Sequence, residues 1–289
     1  MASGSEPSPE REELEELCRK FTAVSEKNFI TAEQAISADL AGMRIYDPPV
    51  LGVAAADDPL FESLRLPEVV GAHFIPPKVW LPEAASVISF FLPFSDAVLA
   101  ANARHPSEPA PEWLHARWEG QMMLDALSGH LEGCLRRAGR PALAPGLDRR
   151  FRSNGAGNDV PAALSPALPA FSSNWSERHV AYVCGLGTFG LSAGLITMRG
   201  MAGRFGSLIT ALPLPPDKRP YTSHMEYCIR CGACARRCPA AAISLEQGKK
   251  HSLCAPFLGK TRERHDPRYG CGKCQVRVPC QRRIPSRAR

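Results

Sequence analysis

Cys228-Ile-Arg-Cys231-Gly-Ala-Cys234-Ala-Arg-Arg-Cys238-Pro239 decides how this chain is read. The spacing is C-x2-C-x2-C-x3-C-P, the bacterial ferredoxin run. Three closely spaced thiolates wrap one cubane, the fourth points toward a neighbouring cluster, and the proline turns the chain after it. Four more cysteines follow, at Cys254, Cys271, Cys274 and Cys280. Two four-iron clusters need eight thiolates, and these supply them. Ferredoxin topology assigns Cys228, Cys231, Cys234 and Cys280 to one cluster, and Cys238, Cys254, Cys271 and Cys274 to the second. C-x2-C pairs also build zinc knuckles, but the third cysteine at x2 and the trailing Cys-Pro argue against zinc. Cys18, Cys134 and Cys184 lie in helical patterns and read as small buried hydrophobes.

Outward from that run the chain is ordinary in composition and uneven in charge. Hydrophobic content of 44% and charged content of 22% exclude a wholly disordered chain of this length, 289 residues. The formal charge is +6, with a net +8 in residues 251–289 and −2 in the rest. A basic tail suits phosphate contact, but it lacks the interleaved aromatics on which single strands stack. Two oxidised clusters would contribute about −4 and bring the total to about +2, so tRNA is not the favoured partner. No run approaches the roughly 18 to 20 apolar residues of a membrane helix, and the first thirty residues lack a secretory pattern. The expectation is a cytoplasmic protein with no membrane contact, where thiols stay reduced and bind metal.

The rest of the chain reads as a mixed α/β body. Glu10–Ser25 and Glu112–Ala138 have helical periodicity, and Val50–Ala56 and Ser86–Phe91 read as strands. Ala142–Phe171 reads as a long loop and Ser176–Cys184 as a helix stopped by Gly185. Gly194–Met198 and Ser207–Leu212 read as strands around a glycine-rich turn, and Pro213–Pro220 as a linker. No internal repeat is evident. The expected units are a frayed terminus at 1–9, an α/β body at 10–217 and a cysteine-rich module at 218–289. Metal must supply part of that module's folding energy. Gly185-Leu-Gly187-Thr-Phe-Gly190 matches G-x-G-x-x-G, yet a helix precedes it and a strand follows, the reverse of the dinucleotide context. Its glycines suit close backbone approach to something flat, as do Gly203 and Gly206, or they only permit turns. Glu177 and Arg178 open a helix and read as a salt bridge or a catalytic pair; Tyr182 is a proton donor or core packing. His224, just before the first cluster cysteine, either tunes it or is solvated. Trp113, Trp118 and Trp175 read as core or pocket-rim aromatics.

Glu177-Arg178, Ala181, Gly185-Leu186-Gly187, the ferredoxin run, Cys254 and Tyr269-Gly270-Cys271-Gly-Lys-Cys274-Gln275 together resemble the epoxyqueuosine reductase family, iron–sulfur enzymes related to reductive dehalogenases. The likeness is clearest over residues 170–280. It implies an α+β fold, with a nitroreductase-like body followed by a ferredoxin-like module of two [4Fe-4S] clusters. It also implies cobalamin held near Gly185, Gly187, Gly203 and Gly206, and a ferredoxin or flavodoxin as electron donor. Glu177, Arg178 and Tyr182 are then the candidate catalytic residues. Counting back from Glu177, the family's proton-donating aspartate falls on Phe171. The family's tryptophan is Thr188, its Gly-Lys-Asn is Gly190-Leu191-Ser192, and its last ligand is shifted to Cys280. These departures point to a short sister group. The expected function is a corrinoid-linked oxidoreductase with an unnamed substrate. The alternatives are an electron-transfer or corrinoid-activating protein without its own substrate, or an epoxyqueuosine tRNA reductase.

Overall fold

The computed structural model describes residues 9–154 and 168–286. In chain order the helices are α1 Pro9–Val24, α2 Pro59–Ser63, α3 Pro77–Trp80, α4 Asp96–Arg104, α5 Pro111–Arg137, α6 Glu177–Val183, α7 Ala233–Arg236 and α8 His251–His265. The strands are β1 Val50–Ala55, β2 Ser86–Pro93, β3 Ala142–Leu143, β4 Ser153–Asn154, β5 Ser172–Ser173, β6 Gly187–Phe189, β7 Leu195–Thr197, β8 Gly203–Thr210, β9 Ile243–Ser244 and β10 Gly248–Lys249.

The body is built on an antiparallel sheet in the order β1-β2-β8-β3. β2 reads Ser-Val-Ile-Ser-Phe-Phe-Leu-Pro, without polar alternation, and every residue of it is buried. Such a strand must be covered on both faces. Ile88, Phe90 and Leu92 enter one core with Leu14 of α1, Val98 of α4 and Leu124 and Leu127 of α5. Val87 enters the opposite layer with Phe61, Trp175, Val180 and Ile209. Phe91 meets Phe205, Ala181 and Leu186. The period of two along the strand thus produces a three-layer body. Truncating Phe90 to Ala would cost roughly 3–5 kcal/mol by leaving a cavity.

Local signals explain the element ends. α5 starts with Pro111 at its first position, where the missing N–H is no loss. It stops at Gly139, whose φ of 72° allows the amides of Gly139 and Arg140 to return to the carbonyls of Arg136 and Leu135. Asp58 accepts the Leu60 amide at 3.0 Å and starts α2, where the sequence suggests only a turn.

Several expectations need correction. The stretches Gly194–Met198 and Ser207–Leu212 do not flank one turn: β7 pairs with β6, while β8 pairs with β2 and β3. Gly203 and Gly206 therefore lie inside a strand. The Ala142–Phe171 stretch is not all loop, because Ala142–Leu143 forms the β3 edge; residues 155–167 fall outside the described residues. Pro213–Pro220 is a strap rather than a free linker. Asp217 accepts the Val53 amide at 2.8 Å and pairs with Arg11, and Arg219 pairs with Asp58. A carboxylate on the exposed edge of β1 satisfies amides that no strand pairs. The segment expected to separate body and module thus fastens one to the other. Arg268, beyond α8, reinforces this by pairing with buried Glu119 of α5. α8 itself escapes the sequence reading, since its apolar residues lack helical periodicity and it contains Pro256.

Candidate iron–sulfur centre

Two of the C-x-x-C pairs have one local design. Cys231-Gly232-Ala233-Cys234 and Cys271-Gly272-Lys273-Cys274 each place a glycine in the left-handed region, with φ of 71° and 66°. A single helical turn then carries the second cysteine, in α7 and in the 3-10 turn Lys273–Gln275. The two turns pack against each other. This is a short internal repeat, C-G-x-C, against the expectation of none. Only four residues recur, too few to register as periodicity. Gly272 is also required sterically: a Cβ there would lie 2.0 Å from the Trp113 ring.

Cys228, Cys231, Cys234 and Cys280 line one cavity, together with Gly190, Ile196, Met201 and Val278. Cys280 reaches it because its carbonyl accepts the Met201 amide, which fastens the C-terminal segment to the turn before β8. Burial, then the neighbouring thiols, raises Cys280 to about 12 and Cys234 to about 11. The other four also influence one another. Burial raises Cys271 to about 12, with Cys274 and Cys254 adding, and burial raises Cys274, with Cys254 and Cys238 adding. The charges of Cys234 and Cys274 act across the two groups. Crowded, protonated thiols of this kind release protons when a cation enters. Cys231 is exposed and the remaining seven of the eight are half-buried. Among the described residues, no three His, Cys, Asp or Glu side chains converge as a single ion would require. Four thiols around one cavity, Cys228, Cys231, Cys234 and Cys280, are the donor set a four-iron cluster takes. Cys18 and Cys184 are buried, as expected, but Cys134 is only half-buried and accepts a hydrogen bond from Arg137 at 3.2 Å.

Gly190, the last glycine of the G-x-G-x-x-G match, borders this cavity, and a Cβ there would lie 3.7 Å from Cys228 Sγ. The match contains β6 and leads into β7, not into a helix, so its dinucleotide reading fails. Nor do Gly185, Gly187, Gly203 and Gly206 leave open space for a flat ring. A Cβ would meet Asp217 at the first and the Ile196 carbonyl at the second. At the others it would meet the Leu92 carbonyl with the Phe91 ring, and the Phe90 ring. These glycines permit the body to pack on itself.

Glu177 and Arg178 do not form a salt bridge. Glu177 accepts a hydrogen bond from Ser207 at 2.7 Å, and Ser207 accepts one from Trp175 Nε1 at 2.8 Å. Burial raises the Glu177 carboxyl to about 8. Arg178 donates to the Ala193 carbonyl and reaches solvent, yet burial pulls its pKa down, helped by Arg117. The charge of Cys274 acts on Arg178 in the opposite sense, which puts Arg178 near the second cysteine group. Burial, then Arg178, lowers His179 to about 4; burial, then Lys249 and Arg178, lowers His251 to about 4. Phe171, with φ of 63°, stacks on His251 at 5.7 Å. The Tyr182 ring packs against Tyr221 and Phe189, the core role. The His224 side chain is exposed; its carbonyl accepts the Phe189 amide. Trp113 and Trp175 are core residues. The groove lined by Thr22, Met43, Arg44 and Ser95 contains none of these groups.

The sequence reading misses two residues here. Lys273 is 0% exposed and donates to Asn102 O and Oδ1 at 2.8 and 2.9 Å. Arg237 donates through Nε to the Lys273 carbonyl at 3.3 Å, and its Nη2 is buried with no hydrogen-bond partner among the described residues. In the sequence both look like ordinary basic residues beside cluster cysteines, and only the packing around their charged atoms distinguishes them.

Residues 221–244 match the 4Fe-4S binding domain family. An epoxyqueuosine reductase from Listeria monocytogenes serovar 1/2a is 30% identical over 117 residues, an alignment taking in 37% of this chain and 30% of that protein. A reductive dehalogenase, whose structure suggests a mechanism for B12-dependent dehalogenation, superimposes with a TM-score of 0.53 at 16% identity. It covers 82% of this chain and 30% of the dehalogenase. An epoxyqueuosine reductase from Streptococcus thermophilus gives 0.47 at 19% identity, over 80% of this chain and 62% of that one. The chain therefore spans under a third of the curated relative it matches, and the shared body is a mixed α/β fold of the dehalogenase type.

Proposed function

We propose that this epoxyqueuosine reductase-like chain is an oxidoreductase that moves single electrons from its surface to a corrinoid bound beside Arg178. The observation that carries this reading is the order of the parts: exposed Cys231, then the contact between the groups at Cys234 and Cys274, then Arg178. Two [4Fe-4S] clusters supply one-electron steps, and a corrinoid supplies a strong reductant at the end of them. Cys228, Cys231, Cys234 and Cys280 would hold the first cluster, and Cys238, Cys254, Cys271 and Cys274 the second. Arg178, anchored on the Ala193 carbonyl, would offer the corrinoid a fixed cation. Glu177 retains its proton at neutral pH and can donate it where Phe171 cannot. His179 and His251 stay neutral there and add no charge. A small ferredoxin or flavodoxin would deliver electrons near Cys231, in the cytoplasm.

Anaerobic reconstitution tests the reading. About eight irons per chain are expected, and fewer than about six defeat the two-cluster count. Added hydroxocobalamin should give a base-off cobalt(II) signal in the EPR spectrum. No such signal leaves the second reading, an electron-transfer or corrinoid-activating protein without its own substrate, which Phe171 at the donor position favours. If a corrinoid binds, turnover of epoxyqueuosine in tRNA decides whether the relative's substrate is shared.

A further inference from the structure

The ammonium of Lys273 is fully buried, and its hydrogen bonds end on the neutral oxygens of Asn102. The acid whose charge reaches it, Glu108, is exposed and paired with Arg264. Arg237 lies beside Lys273, close enough for their charges to repel, and holds a buried Nη2 without a partner. A fully buried ammonium beside a half-buried guanidinium, with no carboxylate bonded to either among the described residues, would be strongly destabilising. Buried charges persist where an opposite charge compensates them. The groups on hand that can supply it are the thiolates flanking Lys273 along the chain, Cys271 and Cys274. At the equivalent position of the first C-G-x-C stands Ala233, which has no charge.

We infer that Lys273, with Arg237, is the built-in counter-charge of the second iron–sulfur cluster, and that this pair makes the second cluster easier to reduce than the first. The inference rests on the two-cluster reading above. An oxidised cubane with four thiolates carries about −2, and gains one further negative charge with each electron taken from an external one-electron carrier. A fixed cation stabilises the more negative state more than the less negative one. Buried cations act at low effective dielectric, whereas Arg230 and Arg236 near the first group are exposed and screened by salt. Electrons entering near Cys231 are therefore drawn inward, toward Arg178. Lys273 is a positioning residue, since it acts on the cluster and not on a substrate.

The test is a redox titration of the reconstituted protein followed by EPR, on wild type, Lys273→Met and Lys273→Arg. Wild type should show two midpoints. In Lys273→Met the reduction equilibrium of one cluster should weaken at least tenfold, a fall of 59 mV for one electron, while the other stays in place. Lys273→Arg should keep both near wild type. Two clusters with unmoved midpoints in Lys273→Met overturn the inference and leave the two-cluster reading intact. Four irons in wild type overturn that reading, and the inference with it. If Lys273→Met loses half its iron, Lys273→Arg decides. Retained iron there supports a charge requirement; equal loss means the residue acts by shape, and the inference fails.

Discussion

The two C-G-x-C turns share a backbone and differ in their surroundings. The first stands at the surface: Cys231 is exposed, and Arg236 donates to the Cys231 carbonyl at 3.1 Å from the solvent side. The second is pressed into the body, with Gly272 against Trp113, Lys273 tied to α4 through Asn102, and Asn102 donating in turn to the Cys271 carbonyl at 2.9 Å. One fold of the backbone has thus been given two electrostatic settings, wet and uncharged at Ala233, dry and cationic at Lys273. The difference teaches that direction can be added to a symmetric pair of metal sites by a single residue and its depth.

The sharpest way to break this comparison is to remove one ligand from each side where they meet. Cys234→Ala and Cys274→Ala should each lose about four irons per chain on reconstitution. Loss of all the iron from either variant would mean that the groups do not fill independently. Next is the shared glycine. Gly272→Ala drives a Cβ into Trp113 at positive φ and should cost about 3 kcal/mol, read as a lower melting temperature. At Gly232 the same methyl meets only the flexible end of Arg236 and the Leu245 side chain, so the cost should be about 1 kcal/mol. Equal costs would mean that the second turn is no more deeply docked than the first.

A smaller effect concerns Glu177, next to Arg178 in the chain. The Glu177 carboxyl titrates near 8 when folded, against 4.5 when free. The folded protein holds the extra proton between those values, so this residue's contribution to stability is full below 4.5 and lost as pH rises through about 8. Isotope-edited infrared spectra should show a protonated carboxyl at pH 7 that fades by about pH 9 and is missing in Glu177→Gln. A band already absent at pH 7 would remove Glu177 as a proton donor. The smallest effect should come from Glu108→Ala. Both partners of the Glu108–Arg264 pair are exposed, so its loss should change stability by less than about 0.5 kcal/mol. Cluster midpoints should not move; a clear shift would make Glu108, rather than the cluster, the counter-charge of Lys273.

Much of the body was legible in the sequence. β2 declared itself through its β-branched and aromatic residues, and α5 through helical periodicity closed by Gly139, because these signals act within a few residues. The strap at Asp217 was not legible. A proline-rich stretch looks the same whether it hangs free or its one carboxylate caps a distant sheet edge. The glycines misled for a similar reason: they report that something comes close, and the sequence does not say whether that is a cofactor or the protein's own Phe90. Glu177 and Arg178, adjacent in the chain, proved not to be partners, since successive helix residues do not face each other.

By itself the sequence determined the metal chemistry. Ligand spacing is a local property, and C-x2-C-x2-C-x3-C-P is the spacing of iron–sulfur ligands wherever the chain places it. Only the tertiary structure decided which cation is buried. Lys273 and the exposed Lys260 of the same tail carry the same charge and differ only in what the folded chain packs around them. Desolvation, which a linear sequence does not contain, turns one of them from a solubilising residue into a fixed electrostatic element.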